Sequence, residues 1–124
     1  MAEKYIVILP WPLVALNPNN KPHWAVLARC KKEYRQACWA LAKEAGWNAS
    51  TLTGVKKVGV HLDFYPPNRR DRDEDNLIAS MKAGLDGLAD ALQFNDSGFR
   101  LTHDLKLEVR GLVKVTLTPF EVRA

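Results

Sequence analysis

Hydrophobic and polar residues show two kinds of spacing along the chain. The first, short apolar runs that are continuous or alternate with polar residues, predicts four strands. Residues 4–9 form an apolar, β-branched run without alternation, which favours a strand buried on both faces, either central or at an interface. Residues 55–65 alternate cleanly, which predicts a strand whose buried face is Val58, Val60, Leu62 and Phe64. Residues 105–109 and 113–117 alternate on either side of Gly111 and predict a closing hairpin.

The second kind of spacing, with apolar residues three and four positions apart, predicts two helices. The first spans 23–45, since Pro22 precedes its first turn and Gly46 follows its end. Its apolar stripe consists of Leu27, Cys30, Tyr34, Cys38, Leu41 and Ala45. The second spans 74–92, and its buried stripe consists of Leu77, Met81, Leu85, Leu88 and Leu92.

The order of these elements, β-α-β-α-β-β, predicts an α/β (α+β) fold in one domain covering residues 1–124. Two helices packed on one face of a small mixed sheet of about four strands would bury both helical stripes. The opposite face of the sheet would stay partly bare, and the apolar first strand would then need a partner chain.

Composition excludes several classes of protein. The chain has 124 residues, of which 47% are hydrophobic and 26% charged, and this near-average balance argues against disorder. No apolar stretch approaches the ~20 residues that span a bilayer, and the first residues do not resemble a signal peptide. We therefore expect a soluble, cytoplasmic protein with no membrane contact. Cys30 and Cys38 lie too far apart on the predicted helix to form a disulfide, so we expect both to be reduced.

The net charge of +4 arises from 18 Lys and Arg against 14 Asp and Glu, and it is divided unevenly. Residues 1–57 hold nine bases and three acids, a net +6, whereas 58–124 hold nine bases and eleven acids, a net −2. A basic half favours an anionic partner, most often nucleic acid. On the first predicted helix, Arg29, Lys32 and Arg35 form a basic side, which is either a solvated face or a track for phosphates.

Acidic residues crowd the start of the second predicted helix, at Asp71, Asp73, Glu74 and Asp75. One acid suffices to cap a helix, and four so close together repel one another unless arginines or a cation compensate. In an extended chain Asp73 and Asp75 would point the same way and hold a hard cation such as Mg²⁺. A third carboxylate, best supplied by Asp96, requires that the chain folds back or that a second subunit contributes. The other interpretation is a helix cap with surface ion pairs.

Lys82 and Asp86 lie four residues apart on the polar side of the second predicted helix. They form either a surface ion pair, contributing about 0.3–0.5 kcal/mol, or a group in which Lys82 contacts a phosphate at the metal site. His61 falls on the polar face of its strand, where we expect a solvated side chain.

Three segments together resemble the RusA family of Holliday junction resolvases. They are the run from Arg70 to Leu77, the run from Lys82 to Leu88, and the turn Asn95-Asp96-Ser97. The opening Leu9-Pro10-Trp11-Pro12, the Asn-rich loop that follows and the His23-Trp24 helix start also fit, so the resemblance spans nearly the whole chain. It implies a compact α/β fold, a homodimer, and Mg²⁺-dependent nicking of four-way DNA junctions, with Mn²⁺ as an alternative ion. Members of this family are common in phages and prophages.

The resemblance also assigns roles by position. Asp73, Asp75 and Asp96 match the family's metal-binding carboxylates. The family's helix lysine falls where this chain has Ala79, so Lys82 would take that catalytic role one turn further along.

Two functional hypotheses follow. In the first, the chain is an endodeoxyribonuclease, since bound Mg²⁺ supplies an activated water and charge stabilisation, and a homodimer suits a junction that needs two symmetric cuts. The residues expected to contact DNA phosphates are Arg69, Arg70, Arg72, Arg29, Lys32 and Arg35. In the second, a non-catalytic dimer binds branched nucleic acid, and the aspartates only cap and pair.

Overall fold

A four-stranded sheet with helices on one face is the architecture of this protein in a computed structural model that describes residues 5–122. In chain order the elements are β1 (Tyr5–Pro10), α1 (Trp24–Glu44), β2 (Val55–Tyr65), α2 (Glu74–Ser80), α3 (Lys82–Leu92), β3 (Phe99–Leu105) and β4 (Leu112–Val122). Short 3₁₀ turns occupy Val14–Leu16 and Asp96–Gly98. The predicted α/β class and the number of strands are confirmed, whereas three helices replace the two expected.

The strands lie in the order β1-β4-β2-β3, with β4 antiparallel to both of its neighbours and β3 parallel to β2. The predicted hairpin is therefore wrong, because β3 and β4 lie on opposite sides of β2. The intervening residues cross the end of β2, where Lys106 N donates to Phe64 O at 2.8 Å. Leu107, expected in a strand, lies in this loop with 94% of its surface exposed.

The first strand lies at the edge of the sheet, since β4 is its neighbour on one side among the described strands. Val7 and Leu9 point into the core, whereas Ile6 and Ile8 are 48% and 46% exposed. The expectation of a central strand is thus wrong, and its apolar sequence reflects one buried and one open face. Lys4, the predicted first residue, lies outside the described residues.

The predicted helix 74–92 is divided at Met81. The Ser80 hydroxyl donates to Asn76 O at 2.7 Å, and Met81 N donates to Ile78 O, a tighter three-residue step. Such a side-chain bond to the carbonyl four residues back loosens helical geometry, so α3 begins afresh at Lys82. All five predicted stripe residues are nevertheless buried: Leu77, Met81, Leu85, Leu88 and Leu92.

Two glycines of α3 allow it to pack closely on α1. A Cβ at Gly87 would overlap the carbonyl oxygen of Arg35, and one at Gly84 would lie 2.6 Å from Tyr34 Cε2. The α1 stripe is as predicted except at its end, where Ala42 is buried and Ala45 is exposed. Helix α3 is thereby held in one position against α1, which determines where the polar residues at its two ends lie.

Both cysteines are free thiols, as expected. Burial raises the pKa of the Cys38 thiol to about 12, so this residue is a packing group and not a nucleophile. Over residues 5–122, none of the helices combines the length and the apolar composition that crossing a membrane requires.

Candidate active site

The loop from β2 to α2 is folded around Asn68 and Arg72. Asn68 Oδ1 accepts hydrogen bonds from Arg70 N at 3.1 Å and from Arg72 Nη2 at 2.7 Å. Arg72 Nη1 donates to the carbonyl oxygens of Asn68 and Arg70, and its guanidinium lies 5.4 Å from the Trp11 ring centroid. Arg72 therefore shapes the loop from within, while the side chains of Arg69 and Arg70 are exposed.

Asp73 caps helix α2. Its Oδ1 accepts from Asp75 N at 2.9 Å and from Asn76 N at 3.4 Å, the usual way in which an aspartate satisfies free amides of a first turn. Asp75 is already helical, so the extended geometry that would aim Asp73 and Asp75 at one point is not present. Both residues remain exposed, and each keeps carboxylate oxygen available to solvent or to a cation.

Lys82 joins two acids that the sequence separates. Its ammonium lies 3.0 Å from Asp86 Oδ1 and 3.1 Å from Asp96 Oδ2. These hydrogen bonds, first to Asp86 and then to Asp96, raise the pKa of Lys82 above its ordinary value. At neutral pH Lys82 is therefore a fixed positive charge and not a base. The structure contains the Lys82–Asp86 ion pair, one of the two arrangements considered for these residues, and Asp96 joins it because the chain turns back after α3.

Two cavities meet at Ser80, which contributes to the wall of each. One, of about 350 Å³, is lined by the capped loop, including Arg70, Asp71 and Asp73. The other, of about 500 Å³, is lined by the side chains Leu16, Lys31, Lys32, Arg35, Ala79, Lys82, Ala83 and Asp86. Ser80 therefore lies between two acids that precede α2, Asp71 and Asp73, and the basic residues of α1 and α3.

The basic side of α1 is partly neutralised by the protein itself. Arg35 makes a two-pronged ion pair with Asp90 of α3, with Nε–Oδ2 and Nη2–Oδ1 distances of 2.6 and 2.9 Å. Hydrogen bonding to Arg35 lowers the pKa of Asp90. Arg29 approaches Glu33 at 3.8 Å on the exposed surface. Lys32, the third base predicted on this helix, lines the cavity of about 500 Å³. Among residues 5–122 it forms no comparable ion pair with a carboxylate.

The three predicted metal-binding carboxylates do not converge within this chain. In the part of the chain that the structure describes, three metal-ligating groups approach within 4.8 Å of one another at a different place, His61, Asp63 and Asp104. Asp73 and Asp75 begin α2 as a pair, while Asp96 is held by Lys82. A site containing all three needs either a closing movement or Asp96 from a second protomer.

Sequence reasoning missed the cluster around His61, which was expected to be solvated. Its Nε2 lies 3.1 Å from Asp63 Oδ1 and 3.2 Å from Asp104 Oδ2, and its Nδ1 lies 2.6 Å from Thr102 Oγ1. The signal present in the sequence was the spacing of His61 and Asp63, two residues apart on one strand face. The missing information was the pairing of β2 with β3, which brings Asp104 beside Asp63.

No protein-family model matches the chain. A protein of Xylella fastidiosa (strain Temecula1), described as uncharacterized, is 38% identical to it over 113 residues. Those residues make up 89% of this chain and 73% of that protein, so the similarity extends well beyond any one motif.

Proposed function

We propose that this chain, which belongs to the same family as the uncharacterized Xylella fastidiosa protein, is a Mg²⁺-dependent endodeoxyribonuclease that resolves four-way DNA junctions. The observation that carries the proposal is the contact of Lys82 with Asp96, at 3.1 Å. Lys82 itself also lines the cavity that Lys31 and Lys32 line. An ammonium group held by acids and surrounded by bases suits a phosphodiester that enters beside a bound cation. The resemblance of the acidic motif to the RusA family supports the same chemistry.

The acids provide the donor chemistry that a hard cation requires. Mg²⁺ takes carboxylate oxygens, which Asp73 and Asp75 present at the start of α2 and Asp96 presents beside Lys82. When bound, such an ion supplies an activated water and neutralises developing charge on the phosphate, and Mn²⁺ has the same ligand preference. Asp96 reaches Asp73 and Asp75 if the two segments move together or if a second protomer supplies it. The proposed enzyme is accordingly a homodimer.

The bases would position the DNA. Lys82 keeps its proton at neutral pH, so it stabilises charge on the phosphoryl oxygens as the scissile bond breaks. Arg69 and Arg70, exposed at the loop, and Lys32 on α1 are placed to neutralise flanking phosphates. In this proposal the two protomers make paired symmetric nicks in the cytoplasm of a bacterial cell, and the protein is of phage or prophage origin.

A second candidate function is a non-catalytic dimer that binds branched nucleic acid. It is favoured by the structural roles that the acids already have, since Asp73 caps α2 and Asp86 and Asp96 both bind Lys82. In this alternative no cation is required, and the acids serve to position the basic surface.

A cleavage assay separates the two functions. A synthetic four-way junction is incubated with the protein in Mg²⁺, in Mn²⁺ and in chelator, and we expect symmetric nicks in the two metal conditions alone. Asp75→Asn should keep junction binding and lose cutting, whereas Asp71→Asn, the matched control in the loop before α2, should keep both. A folded protein that binds the junction but never cuts it would support the binding dimer, and wild-type cutting by Asp75→Asn would refute the assigned site.

A further inference from the structure

A second group of metal-ligating side chains lies on the open face of the sheet, away from the helices. His61 and Asp63 alternate with the buried residues of β2, so both project from the face that the helices leave uncovered. Asp104 stands beside Asp63 on β3, and Thr102 stands beside His61, because the two strands are parallel in this register. Two strands that pair over seven positions thus build the group from backbone geometry alone.

The distances within this group match those in a coordination sphere. His61 Nε2 lies 3.1 Å from Asp63 Oδ1 and 3.2 Å from Asp104 Oδ2. Nitrogen and oxygen ligands about 2.0–2.2 Å from one ion lie roughly 3.0–3.5 Å from each other in octahedral or tetrahedral geometry. All three ligand atoms lie within 4.8 Å of one another, so small side-chain rotations would bring them around one ion.

Thr102 orients the imidazole for such a role. Its hydroxyl lies 2.6 Å from His61 Nδ1, so it accepts a hydrogen bond when that nitrogen carries the ring proton. In that tautomer Nε2 offers its lone pair to an ion lying between the two carboxylates. A partner on the second nitrogen is the usual support of a metal-binding histidine.

A bound metal ion would displace the ammonium group of Lys106 from its position near the two carboxylates. This ammonium lies 3.5 Å from Asp63 Oδ1 and 3.9 Å from Asp104 Oδ2, on the rim of the same group. These distances are longer than those of a direct charged hydrogen bond, and the Lys106 side chain is 39% exposed. The lysine can therefore swing into solvent, while Asp63, with 13% of its side chain exposed, stays in place.

We propose that His61, Asp63 and Asp104 bind a divalent first-row transition-metal ion, such as Zn²⁺, between β2 and β3. The imidazole favours a borderline ion over Mg²⁺, whose preferred ligands are oxygen atoms. The ion would connect the edge strand β3 to the centre of the sheet. This proposal stands independently of the nuclease proposal, since it involves none of its residues.

The test is calorimetric titration of chelator-treated full-length protein with Zn²⁺ and, separately, with Mg²⁺. We expect one Zn²⁺ per chain, a rise in Tm on saturation, and much weaker binding of Mg²⁺ at this group. Asp104→Asn, at an exposed position, should weaken Zn²⁺ binding by more than about tenfold and remove the rise in Tm. Lys106→Met, which removes the competing charge, should strengthen binding several-fold.

Asp71→Asn, which removes an exposed acid outside both proposed cation sites, is the matched control, and its Zn²⁺ affinity should equal that of the wild type. Circular dichroism without metal verifies that each variant is folded. The proposal is overturned if Zn²⁺ does not bind, since the group would then be a hydrogen-bonded cluster of polar side chains and no more. It is equally overturned if Asp104→Asn binds Zn²⁺ as well as the wild type, or if Asp71→Asn removes the binding.

Discussion

The two faces of the sheet differ in what they hold, although the same strands form both. On the covered face Val58, Val60 and Leu62 are fully buried beneath the helices. On the open face the intervening residues of β2 include His61 and Asp63, which take polar partners from β3. Alternation along β2 thus gives one strand a face for packing and a face for polar contacts. The packing face depends on apolar area removed from water, whereas the open face depends on which neighbouring strand is paired beside it.

The acids on the two sides also differ in the group that joins them. On the helix side an ammonium, that of Lys82, lies about equally close to Asp86 and Asp96. On the open side an imidazole nitrogen of His61 takes that place between Asp63 and Asp104. An ammonium can only donate and so offers charge to a phosphate, whereas a ring nitrogen can also act as a ligand.

The largest difference between the faces is expected at two neighbouring residues of β1. Leu9 is 1% exposed and Ile8 is 46% exposed, so Leu9→Ala should lower the free energy of unfolding by about 2–5 kcal/mol. Ile8→Ala should cost about 1 kcal/mol or less, because half of that side chain is already in water. Urea denaturation of both variants measures the contrast. Equal losses would contradict it, and an Ile8→Ala loss that depends on protein concentration would show that a second copy covers the open face.

The two lysines are expected to differ in their effect on activity. Lys82→Met should reduce junction cutting about 100-fold at unchanged junction binding, since one positioned donor to the phosphate is lost. Lys106→Met, on the open face, should leave the cutting rate as it is. Single-turnover cleavage with saturating protein makes the measurement. The distinction between the two clusters fails if both variants cut at the same rate.

Alanine substitution at two glycines compares the packing between the helices with the packing on the open face of the sheet. Gly87→Ala places a methyl group against the Arg35 carbonyl oxygen, so separating α1 from α3 should cost about 1–3 kcal/mol in stability. At Gly59, on the open face, the added Cβ would lie 3.5 Å from Thr118 O, an ordinary contact. Gly59→Ala should therefore change stability by less than about 1 kcal/mol. Thermal denaturation of both variants measures the difference. A Gly87→Ala variant as stable as the wild type would show that α1 and α3 are loosely packed.

The smallest expected effect is the pH dependence of the Arg35–Asp90 pair. The pKa of Asp90 is lowered from 3.8, so its contribution to stability is present above that pH and is lost as pH falls through the lower folded value. Both side chains are nearly half exposed, so screening by solvent keeps this contribution small. The stability difference between wild type and Asp90→Asn should therefore vanish in acid and shrink in high salt. A difference that persisted unchanged below the folded pKa would disprove this origin.

The sequence predicted elements whose pattern is a local property. The alternation of β2 and the leucine stripe of residues 77–92 identified the core correctly, since a residue's face depends on its spacing from its own neighbours. The same reasoning found the Lys82–Asp86 pair, four residues apart on one helix. It did not find the division at Met81, because a single hydroxyl bond from Ser80 leaves the periodicity intact.

Sequence patterns therefore sufficed to identify the α/β class, the core-facing residues and the acidic motif. Tertiary packing, by contrast, decided that β3 pairs with β2 and not with β4, and that Asp96 returns to Lys82. It likewise decided that Asp104 meets His61, while Asp73 turns to cap its own helix. The physical reason is that strand partners and helix-end positions depend on how distant segments pack together, which spacing along the chain does not encode.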